Sequence, residues 1–491
     1  MSDKLIAVKH ELPTVRIQSV VLEKFKSVEY GKVEMACGKK FVPMDTQSDI
    51  LGIYGQNGSG KTSLIEALSI FKYLVMGESI PDEYADCIKI DEEESHLEFT
   101  LDFQYPSGKR HKVVYGACLT VEEPKSEMAQ FDETYINDSV DIEKKERHLV
   151  KVRREYIKVS GDFDDHKGLH TVIDTKTSPF GPAANRELFL KNPKNLNELM
   201  ANRVLSWNMS QSFIFMEETM SVFFEMIDQS EYVDVLFDLH NYAGIYLYVV
   251  DTKSAGFIRL NIAMPILIRR VRGNELIALS RIALGINAPN RLPNEIYEDV
   301  KAVFDTINIV LCKLIPGLTI GIKDLGPAIL KNGKQGKYAE LISIRNGVEL
   351  PLRDESDGIK KIISTLQLFI EAYNDKSLTV AIDEFDAGVF EYLLGEMLTI
   401  FEKYGKGQFI FTSHNLRPLE VINKNFICFT TANPLNRYIR LDNIKPSNNL
   451  RNIYFREIEL GGAKEDLYLR EKQFKIVQSL RKAGQIYGEE E

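Results

Sequence analysis

Alternating apolar and polar residues mark two stretches in the first quarter of the chain. The runs at 14–35 and 96–103 alternate with a period of two, and the first is also rich in β-branched residues, which predicts strands. Pro106-Ser107-Gly108 follows the second run and predicts a turn. A matching run at 110–119 lies beyond that turn. These patterns predict an N-terminal unit that contains a β-hairpin.

Other segments carry different periods. Mostly apolar runs at 50–54, 378–382 and 409–412 predict buried strands. Further strands are predicted at 318–322 and 339–352. Apolar residues at i, i+3 and i+4 predict helices at 194–206, 219–242, 293–314 and 356–373. The order predicts an α/β fold in which a helical lid, from about 186 to 310, is inserted between two halves of a mixed sheet. The sequence has no sustained heptad repeat, so a long coiled-coil arm is not predicted.

Composition narrows the class of protein. The 491 residues are 44% hydrophobic and 27% charged, which is typical of a globular chain of about three domains. Five scattered cysteines without a CxxC pair favour a reducing, cytoplasmic location. No apolar run reaches the ~18 residues of a membrane span. The net charge of −10 argues against nucleic-acid binding over the whole surface.

A glycine-rich segment between a predicted strand and a predicted helix carries the clearest chemistry. It has the pattern GxxxxGK[ST] and consists of Gly55, Gln56, Asn57, Gly58, Ser59, Gly60, Lys61 and Thr62, followed by Ser63. Such a loop cradles phosphates with backbone N–H groups at a helix N-terminus. Lys61 is expected to reach the β/γ-phosphates, and Thr62 is expected to bind Mg²⁺. The segment therefore predicts ATP or GTP binding.

A second set of polar residues follows the later apolar strands. Asp383 and Glu384 end the strand at 378–382, where α/β sheets bind ligands. We expect Asp383 to hold Mg²⁺ through water and Glu384 to act as general base. His414 ends the next strand and is expected at the same sheet edge, facing the γ-phosphate; the alternative is a polar residue that only closes a strand.

The predicted helix at 356–373 begins with Ser356-Asp357-Gly358. Ser356 is a favourable N-cap, and Gly358 permits a close backbone approach. The segment is therefore either an anion receptor or a simple cap.

The order of these motifs resembles the branch of ABC-type ATPases that contains SMC, RecF and OLD-type proteins. Phe25-Lys26-Ser27 is similar to the N-terminal element of that branch, and Gln56 to Gly60 is similar to its phosphate loop. Ser356 to Gly358 resembles the Ser-Asp-Gly signature of its compact bacterial members and differs from the transporter signature Leu-Ser-Gly-Gly-Gln. The resemblance covers about 14–120 and 315–430.

The resemblance implies an ABC-type P-loop head that binds ATP and Mg²⁺, hydrolyses ATP and works in pairs. Ser356 of one head would contact the γ-phosphate held by Lys61 of the other. Lys26 would lie near the nucleotide. Gln104 is the candidate for the glutamine that contacts the metal, with a surface turn residue as the alternative. The implied domains are an N-terminal lobe (1–120), an insertion (121–314), a C-terminal lobe (315–450) and a helical extension (451–491).

The resemblance also suggests a cellular role. About 60 residues beyond the His414 strand and its neighbours are too few for the Toprim nuclease domain of OLD proteins. Compact ATPases of this kind look like subunits of anti-phage systems such as PARIS, Septu and certain retrons. The leading hypothesis is therefore an oligomeric sensor or scaffold that controls a separate effector. The resemblance implies that this effector is a nuclease or toxin and that no membrane partner is involved.

Two alternatives remain open at the level of sequence. A RecF-like repair ATPase would bind DNA, or RNA, through basic residues, and the alternative for these is a solvated charged face. The basic residues are Lys144, Lys145, Arg147, His148, Lys151, Arg153, Arg154, Arg269, Arg270 and Arg272. A toxin nuclease would need a metal cluster, for which Asp162, Asp164, Asp165 and His166 are a poor candidate. The apolar residues of a C-terminal helix at 465–483 would either dock a partner or pack on the core.

Overall fold

Two large sheets organise the computed structural model. The structure describes residues 12–36, 48–88, 94–122, 148–163, 168–176, 178, 180–192, 194–252, 263–272, 275–441, 449–460, 465–468 and 473–486. No helix within these ranges is long and apolar enough to cross a membrane.

The first large sheet is antiparallel throughout, with strand order β2-β1-β4-β5-β6-β7. Its strands are β1 (Thr14–Phe25), β2 (Val28–Glu34), β4 (Ser95–Gln104), β5 (Arg110–Glu122), β6 (Leu149–Gly161) and β7 (His170–Asp174). The predicted strands and the hairpin at 106–108 are therefore confirmed. Alternating side chains bury one face of the sheet, as the period-two pattern requires.

The central sheet has the order β18-β17-β3-β16-β15-β8 and is parallel except for β18. Its strands are β3 (Asp49–Tyr54), β8 (Leu247–Val250), β15 (Thr379–Ile382), β16 (Gln408–Thr412), β17 (Ile427–Thr430) and β18 (Tyr438–Ile439). The strands read as short apolar runs because both faces are covered. The prediction of an α/β P-loop fold is confirmed by this sheet and the phosphate loop that follows β3.

Side chains of the central strands alternate between two apolar clusters. Leu51, Ala381 and Ile410 point into the cluster under the antiparallel sheet. Their neighbours Ile50 and Val380 point into the cluster on the opposite face. Each fully buried aliphatic side chain stabilises the fold by about 1.5 to 3 kcal/mol. The central sheet is thus the middle layer of the molecule, and its strand ends are held rigidly.

The helices cover both faces of the central sheet and the side of the antiparallel sheet. They are α1 (Lys61–Val75), α2 (Arg186–Phe189), α3 (Asn195–Asn208), α4 (Glu217–Phe224), α5 (Glu231–Asn241), α6 (Asn294–Leu314), α7 (Asp357–Asn374), α8 (Glu391–Tyr404), α9 (Pro418–Val421), α10 (Leu450–Leu460) and α11 (Gln473–Ile486). The helices predicted from the i, i+3, i+4 pattern are present at 195–208, 294–314 and 357–374. The segment predicted as one helix at 219–242 is divided into α4 and α5.

The stretch from 186 to 310 contains strands as well as helices. β8 joins the central sheet beside β15, and β9 (Ala263–Arg272) pairs with β10 (Glu275–Gly285) as a hairpin. β11 (Asn290–Pro293) pairs in a smaller sheet with β12 (Leu318–Ile329), β13 (Gln335–Arg345) and β14 (Val348–Pro351). The strands predicted at 318–322 and 339–352 are confirmed by β12 to β14. The helical pattern did not reveal β8 to β11, because a short apolar run such as 245–250 has no period that separates strand from helix.

Candidate functional site

The phosphate loop connects β3 to α1 at the carboxyl edge of the central sheet. Gly60 precedes the helix in the left-handed region, with φ 92°, and no side-chain hydrogen bond caps the helix. A Cβ on Gly55 would lie 1.8 Å from Oγ1 of Thr430. The glycine is therefore required by packing, and the uncapped start of α1 has the geometry of an anion site.

Residues from the later part of the chain brace this loop. The Ser59 hydroxyl donates to the carbonyl of Gln56 at 2.6 Å and also hydrogen-bonds Thr430, at the end of β17. The Tyr438 hydroxyl donates to the carbonyl of Gly60 at 2.6 Å. The loop shape thus depends on β17 and β18 as well as on its own glycines.

The Lys61 ammonium lies over the loop. Nζ donates to the carbonyls of Gly55 at 2.8 Å and Gln56 at 2.9 Å. Burial lowers the pKa of Lys61, and the nearby carboxylates of Asp383 and Glu384 oppose that shift. A cation held beside two carboxylates in a partly buried loop is suited to binding a phosphate that arrives with a divalent metal ion.

Asp383 follows β15 and is held by two threonines. Its amide donates to the carbonyl of Val250 at 2.8 Å, which extends the pairing of β15 with β8. Thr412 Oγ1 donates to Oδ1 at 2.5 Å, and Thr252 Oγ1 donates to Oδ2. The side chain is 1% exposed, so the two hydroxyls fix the direction in which its oxygens face.

Neither threonine was predicted from the sequence as a site residue. Thr412 precedes Ser413-His414 at the end of β16, and Thr252 follows β8. In each case a polar residue follows an apolar run, which is the same signal that identified Asp383. The signal at Thr252 was obscured because β8 was not predicted as a strand.

Glu384 has an unusual backbone conformation. Its φ is 47°, in the left-handed region that a non-glycine residue occupies at a cost of about 1 to 3 kcal/mol. Its amide donates to Thr412 Oγ1 at 2.8 Å. The half-buried side chain lines the same cavity as Lys61. Strain of this kind persists where the surrounding contacts determine the conformation.

His414 lies at the same sheet edge, as the strand order predicted. β16 pairs with β3 on one side and with β15 on the other, so its end is between the phosphate loop and Asp383. The His414 amide donates to Oδ2 of Asp386 at 3.1 Å, and the residue is exposed. The backbone of His414 is held by this hydrogen bond, and its imidazole is accessible from the cavity.

These residues enclose a cavity of about 640 Å³, a size typical of sites for small ligands. Its lining consists of Lys26, Ser27, Asn57, Gly58, Gly60, Lys61, Thr62, Ser63, Asp383, Glu384, Thr412 and His414. The Thr62 hydroxyl and the Asp383 carboxylate supply only oxygen donors, which is the set that Mg²⁺ prefers. The lining therefore fits a nucleoside triphosphate with Mg²⁺.

The Lys26 side chain lines the cavity, and its positive charge is neutralised by an ion pair. Its φ is 51°, its amide donates to the carbonyl of Cys87 at 2.8 Å, and its ammonium forms an ion pair with the buried Glu66 of α1. A lysine engaged in this way positions the start of α1 against the turn after β1.

Three predicted residues lie away from this cavity. Ser356 is exposed and its Oγ accepts from the Ile359 amide at 3.4 Å, so it caps α7 as predicted. Gly358 is beside it, and neither lines the cavity that contains Lys61.

The expectation for Gln104 is not supported by its position. Gln104 pairs with Thr14 at the start of β1, whereas Lys26, at the cavity, follows the end of that strand. A strand of this length spans roughly 36 Å at 3.3 Å per residue. The alternating pattern correctly indicated a strand, but it gave no information about which end of the strand faces the site.

Three of the basic residues considered for DNA binding are engaged within the fold. Arg154 makes two hydrogen bonds to Asp174, at 2.9 and 2.7 Å, and Lys151 donates to two backbone carbonyls of α3. Arg269 pairs with Glu371 and Asp375. Lys144, Lys145 and Arg147 lie outside the described residues, as do Asp164, Asp165 and His166.

One part of the C-terminal segment packs on the core, and another part is exposed to solvent. Leu467 is buried in the second apolar cluster. Four apolar side chains of α11 are exposed, including Phe474 at 62% and Leu480 at 69%.

Comparisons with known proteins give similarities of overall shape at low identity. No protein-family model matches the chain, and no curated protein is significantly similar to it. An SMC head bound to the C-winged helix domain of ScpA is 12% identical, with a TM-score of 0.39, over 87% of this chain and 97% of that one.

Two other solved structures give similar values. The SMC head domain from Thermotoga maritima is 14% identical, with a TM-score of 0.35, over 87% of this chain and 100% of that one. The recombination mediator protein RecF is 12% identical, with a TM-score of 0.34, over 87% of this chain and 99% of that one. Because every TM-score is below 0.5, the fold rests on the sheet topology described above.

Proposed function

We propose that the protein is a Mg²⁺-dependent ATPase of the ABC type. The observation that carries the proposal is the convergence of Lys61, Thr62, Asp383, Glu384 and His414 on one cavity. These residues come from three separate segments of the chain. A loop that merely turned between a strand and a helix would not need the others beside it.

Each residue has a distinct role in this proposal. Lys61 binds the β/γ-phosphates, and Thr62 and Asp383 would hold Mg²⁺, which would neutralise charge on the phosphates when bound. Glu384 accepts a proton from the attacking water, and His414 donates a hydrogen bond to the γ-phosphate.

A second copy of the chain supplies the rest of the site. Ser356 is exposed at the N-terminus of α7 and is not part of the cavity of its own chain. In the proposed pair of heads, Ser356 of one copy contacts the nucleotide bound to the other. ATP binding then favours the pair, and hydrolysis weakens it.

For the cellular role, we propose a sensor or scaffold subunit of a bacterial anti-phage complex, in which ATP-dependent pairing controls a separate nuclease or toxin. This rests on the resemblance of the Ser356-Asp357-Gly358 signature to compact ATPases of that kind. The RecF-like alternative would require basic residues other than Lys151, Arg154 and Arg269, whose charged groups make the internal contacts described above.

The experiment compares ATP binding and hydrolysis in the parent chain, Lys61→Ala and Glu384→Gln. Lys61→Ala should weaken binding at least about tenfold. Glu384→Gln should bind ATP normally and hydrolyse it about 10²- to 10⁴-fold more slowly. Lys323→Ala is a control, because this lysine forms an exposed pair with Glu349. Parent-like hydrolysis by Glu384→Gln would contradict the assignment of the base.

The pairing is tested by light scattering on the Glu384→Gln variant with Mg·ATP. The expected result is a dimer with ATP and a monomer without nucleotide, and Ser356→Arg should abolish the dimer. A monomer under all conditions would contradict the pairing. The cellular role is tested by phage plating on cells that express the chain with its neighbouring genes, where Lys61→Ala should remove protection.

A further inference from the structure

The backbone of Glu384 occupies the left-handed region, and its neighbours show what holds it there. The amide donates to Thr412 Oγ1, at the end of the adjacent strand. The carbonyl accepts the amide of Ala387 at 2.9 Å, which closes a four-residue turn. Phe385, 2% exposed, packs between Phe409 and Phe411. The turn is therefore anchored on the side that faces the central sheet.

A lysine on a neighbouring helix donates to the same carbonyl. Lys361 Nζ donates a hydrogen bond to the carbonyl oxygen of Glu384. Lys361 belongs to the second turn of α7 and is 6% exposed. Removing a lysine side chain from water is costly unless its ammonium group is paired or hydrogen-bonded. The contact with Glu384 helps to meet that requirement.

A second contact joins the same two segments. A Cβ on Gly358 would lie 2.1 Å from the carbonyl oxygen of Gly388, so the two backbones touch directly. Gly388 itself has a φ of 76°. The start of α7 is thus fixed to both ends of the turn that begins at Glu384, by Lys361 at one end and by Gly358 at the other.

We propose that Lys361 is a positioning residue for Glu384, and that through it α7 sets the orientation of the general base. The inference rests on the proposed ATPase function. Lys361 does not line the cavity, so its effect is exerted through the Glu384 backbone. Because Ser356 caps the same helix, a movement of α7 on pairing is transmitted directly to the base.

The first test measures the turn without relying on activity. Hydrogen–deuterium exchange of the amides at 385–388 is compared in the parent chain, Lys361→Met and Lys151→Met. Lys151 is a matched control, because it is also buried and donates to backbone carbonyls far from this turn. Exchange should be about tenfold faster in Lys361→Met alone. Unchanged exchange in this variant would overturn the inference.

The second test is a double-mutant cycle in ATP hydrolysis. Lys361→Met should lower kcat by about 10- to 100-fold, because a small displacement of a catalytic group has effects of that size, and it should leave the affinity for ATP within about threefold. In the Glu384→Gln background the same substitution should have no further effect on kcat. Equal losses in both backgrounds, or weakened ATP binding, would overturn the inference.

The inference can still be tested if Lys361→Met does not fold or if the parent chain does not hydrolyse ATP. If Lys361→Met does not fold, Lys361→Gln retains a donor group and should show a smaller change in both measurements. If the parent chain does not hydrolyse ATP, the proposed function fails, and the exchange measurement alone decides whether Lys361 holds the turn.

Discussion

The carboxylate of Asp386 accepts a hydrogen bond from the backbone amide of His414, 28 residues further along the chain. The same oxygen, Oδ2, accepts the amide of Asn415 at 2.9 Å. The turn that follows β15 is therefore tied to the turn that follows β16. Glu384 and His414 are placed relative to each other by this carboxylate, although Asp386 does not line the cavity.

Replacing Asp386 by alanine should separate the two turns. Loss of two hydrogen bonds to a charged acceptor is expected to cost about 1 to 3 kcal/mol of stability. We expect kcat for ATP to fall by about tenfold or more, because both residues lose their fixed positions. Asp386→Asn keeps one acceptor oxygen and should lie between the parent and the alanine variant. Equal behaviour of the two variants in urea unfolding and ATPase assays would contradict this account.

Thr252 is expected to affect the response to Mg²⁺. Thr252→Val removes the hydroxyl that donates to Oδ2 of Asp383. The concentration of Mg²⁺ needed for half-maximal binding of an ATP analogue should rise by about 5- to 10-fold, in line with the loss of one hydrogen bond to a charged group. Thr252→Ser keeps the hydroxyl and should resemble the parent chain. A Mg²⁺ titration that is the same for the valine and serine variants would count against the role of this bond.

The glycines of the phosphate loop should differ in their tolerance of alanine. At Gly55 a Cβ would overlap the Thr430 hydroxyl, whereas at Gly58 a Cβ would meet no atom within 4 Å. Gly58→Ala should cost only the strain of its φ of 74°, about 1 to 2 kcal/mol. Gly55→Ala should cost more and should abolish ATP binding, because the loop must move. Thermal unfolding and ATP titration of the two variants measure the difference.

Arg154 should contribute to stability rather than to DNA affinity. Its bidentate pair with Asp174 is partly exposed, so Arg154→Ala should reduce stability by about 0.5 to 1 kcal/mol. Asp174→Asn should cause a similar loss, because it weakens the same pair. Fluorescence anisotropy with duplex DNA at low salt should give the same result for both variants and the parent. A steep, salt-dependent loss of DNA binding in Arg154→Ala would instead support the repair hypothesis.

His240 should make stability depend on pH. Burial lowers its pKa below the ordinary value of 6.5, and Nδ1 lies 2.8 Å from the carbonyl of Val75, which places the proton on Nδ1. Between the lowered pKa and 6.5 the unfolded chain binds more protons than the folded chain. Stability should therefore fall as pH decreases from 6.5, by at most about 1.4 kcal/mol per pH unit from this group.

The control for this prediction is His240→Asn, which keeps an N–H donor but does not titrate. Urea unfolding between pH 7 and pH 5 should show a smaller slope for the variant than for the parent. Identical slopes would mean that the imidazole is not responsible.

The sequence was sufficient to predict those site residues whose arrangement depends only on the residues next to them in the chain. Gly55 to Thr62 and Asp383-Glu384 are each contained in a single strand–loop segment, so their arrangement follows from period and residue type. The lysine that holds the Glu384 carbonyl was not predictable in the same way. Lys361 contacts a residue 23 positions away, and only the packing of α7 on β15 brings them together.

The error at Gln104 has a related cause. Alternation specifies that residues 96–103 form a strand, but pairing with β1 decides which end approaches the cavity. Thr252 shows the opposite case. The strand before it, β8, has only four residues and was too short to be predicted from the sequence. Thr252, which follows this strand, was therefore missed as well.

The hydrogen bond from Tyr438 to Gly60 has a consequence for protein synthesis. The two residues are separated by 378 positions, so the brace on the phosphate loop is made late. At a translation rate of 5–20 residues per second, roughly 20 to 75 s pass between synthesis of the loop and synthesis of its brace. A nascent chain on the ribosome would therefore carry an intact glycine motif without its final support, and nucleotide capture would begin only once the β17–β18 segment had emerged.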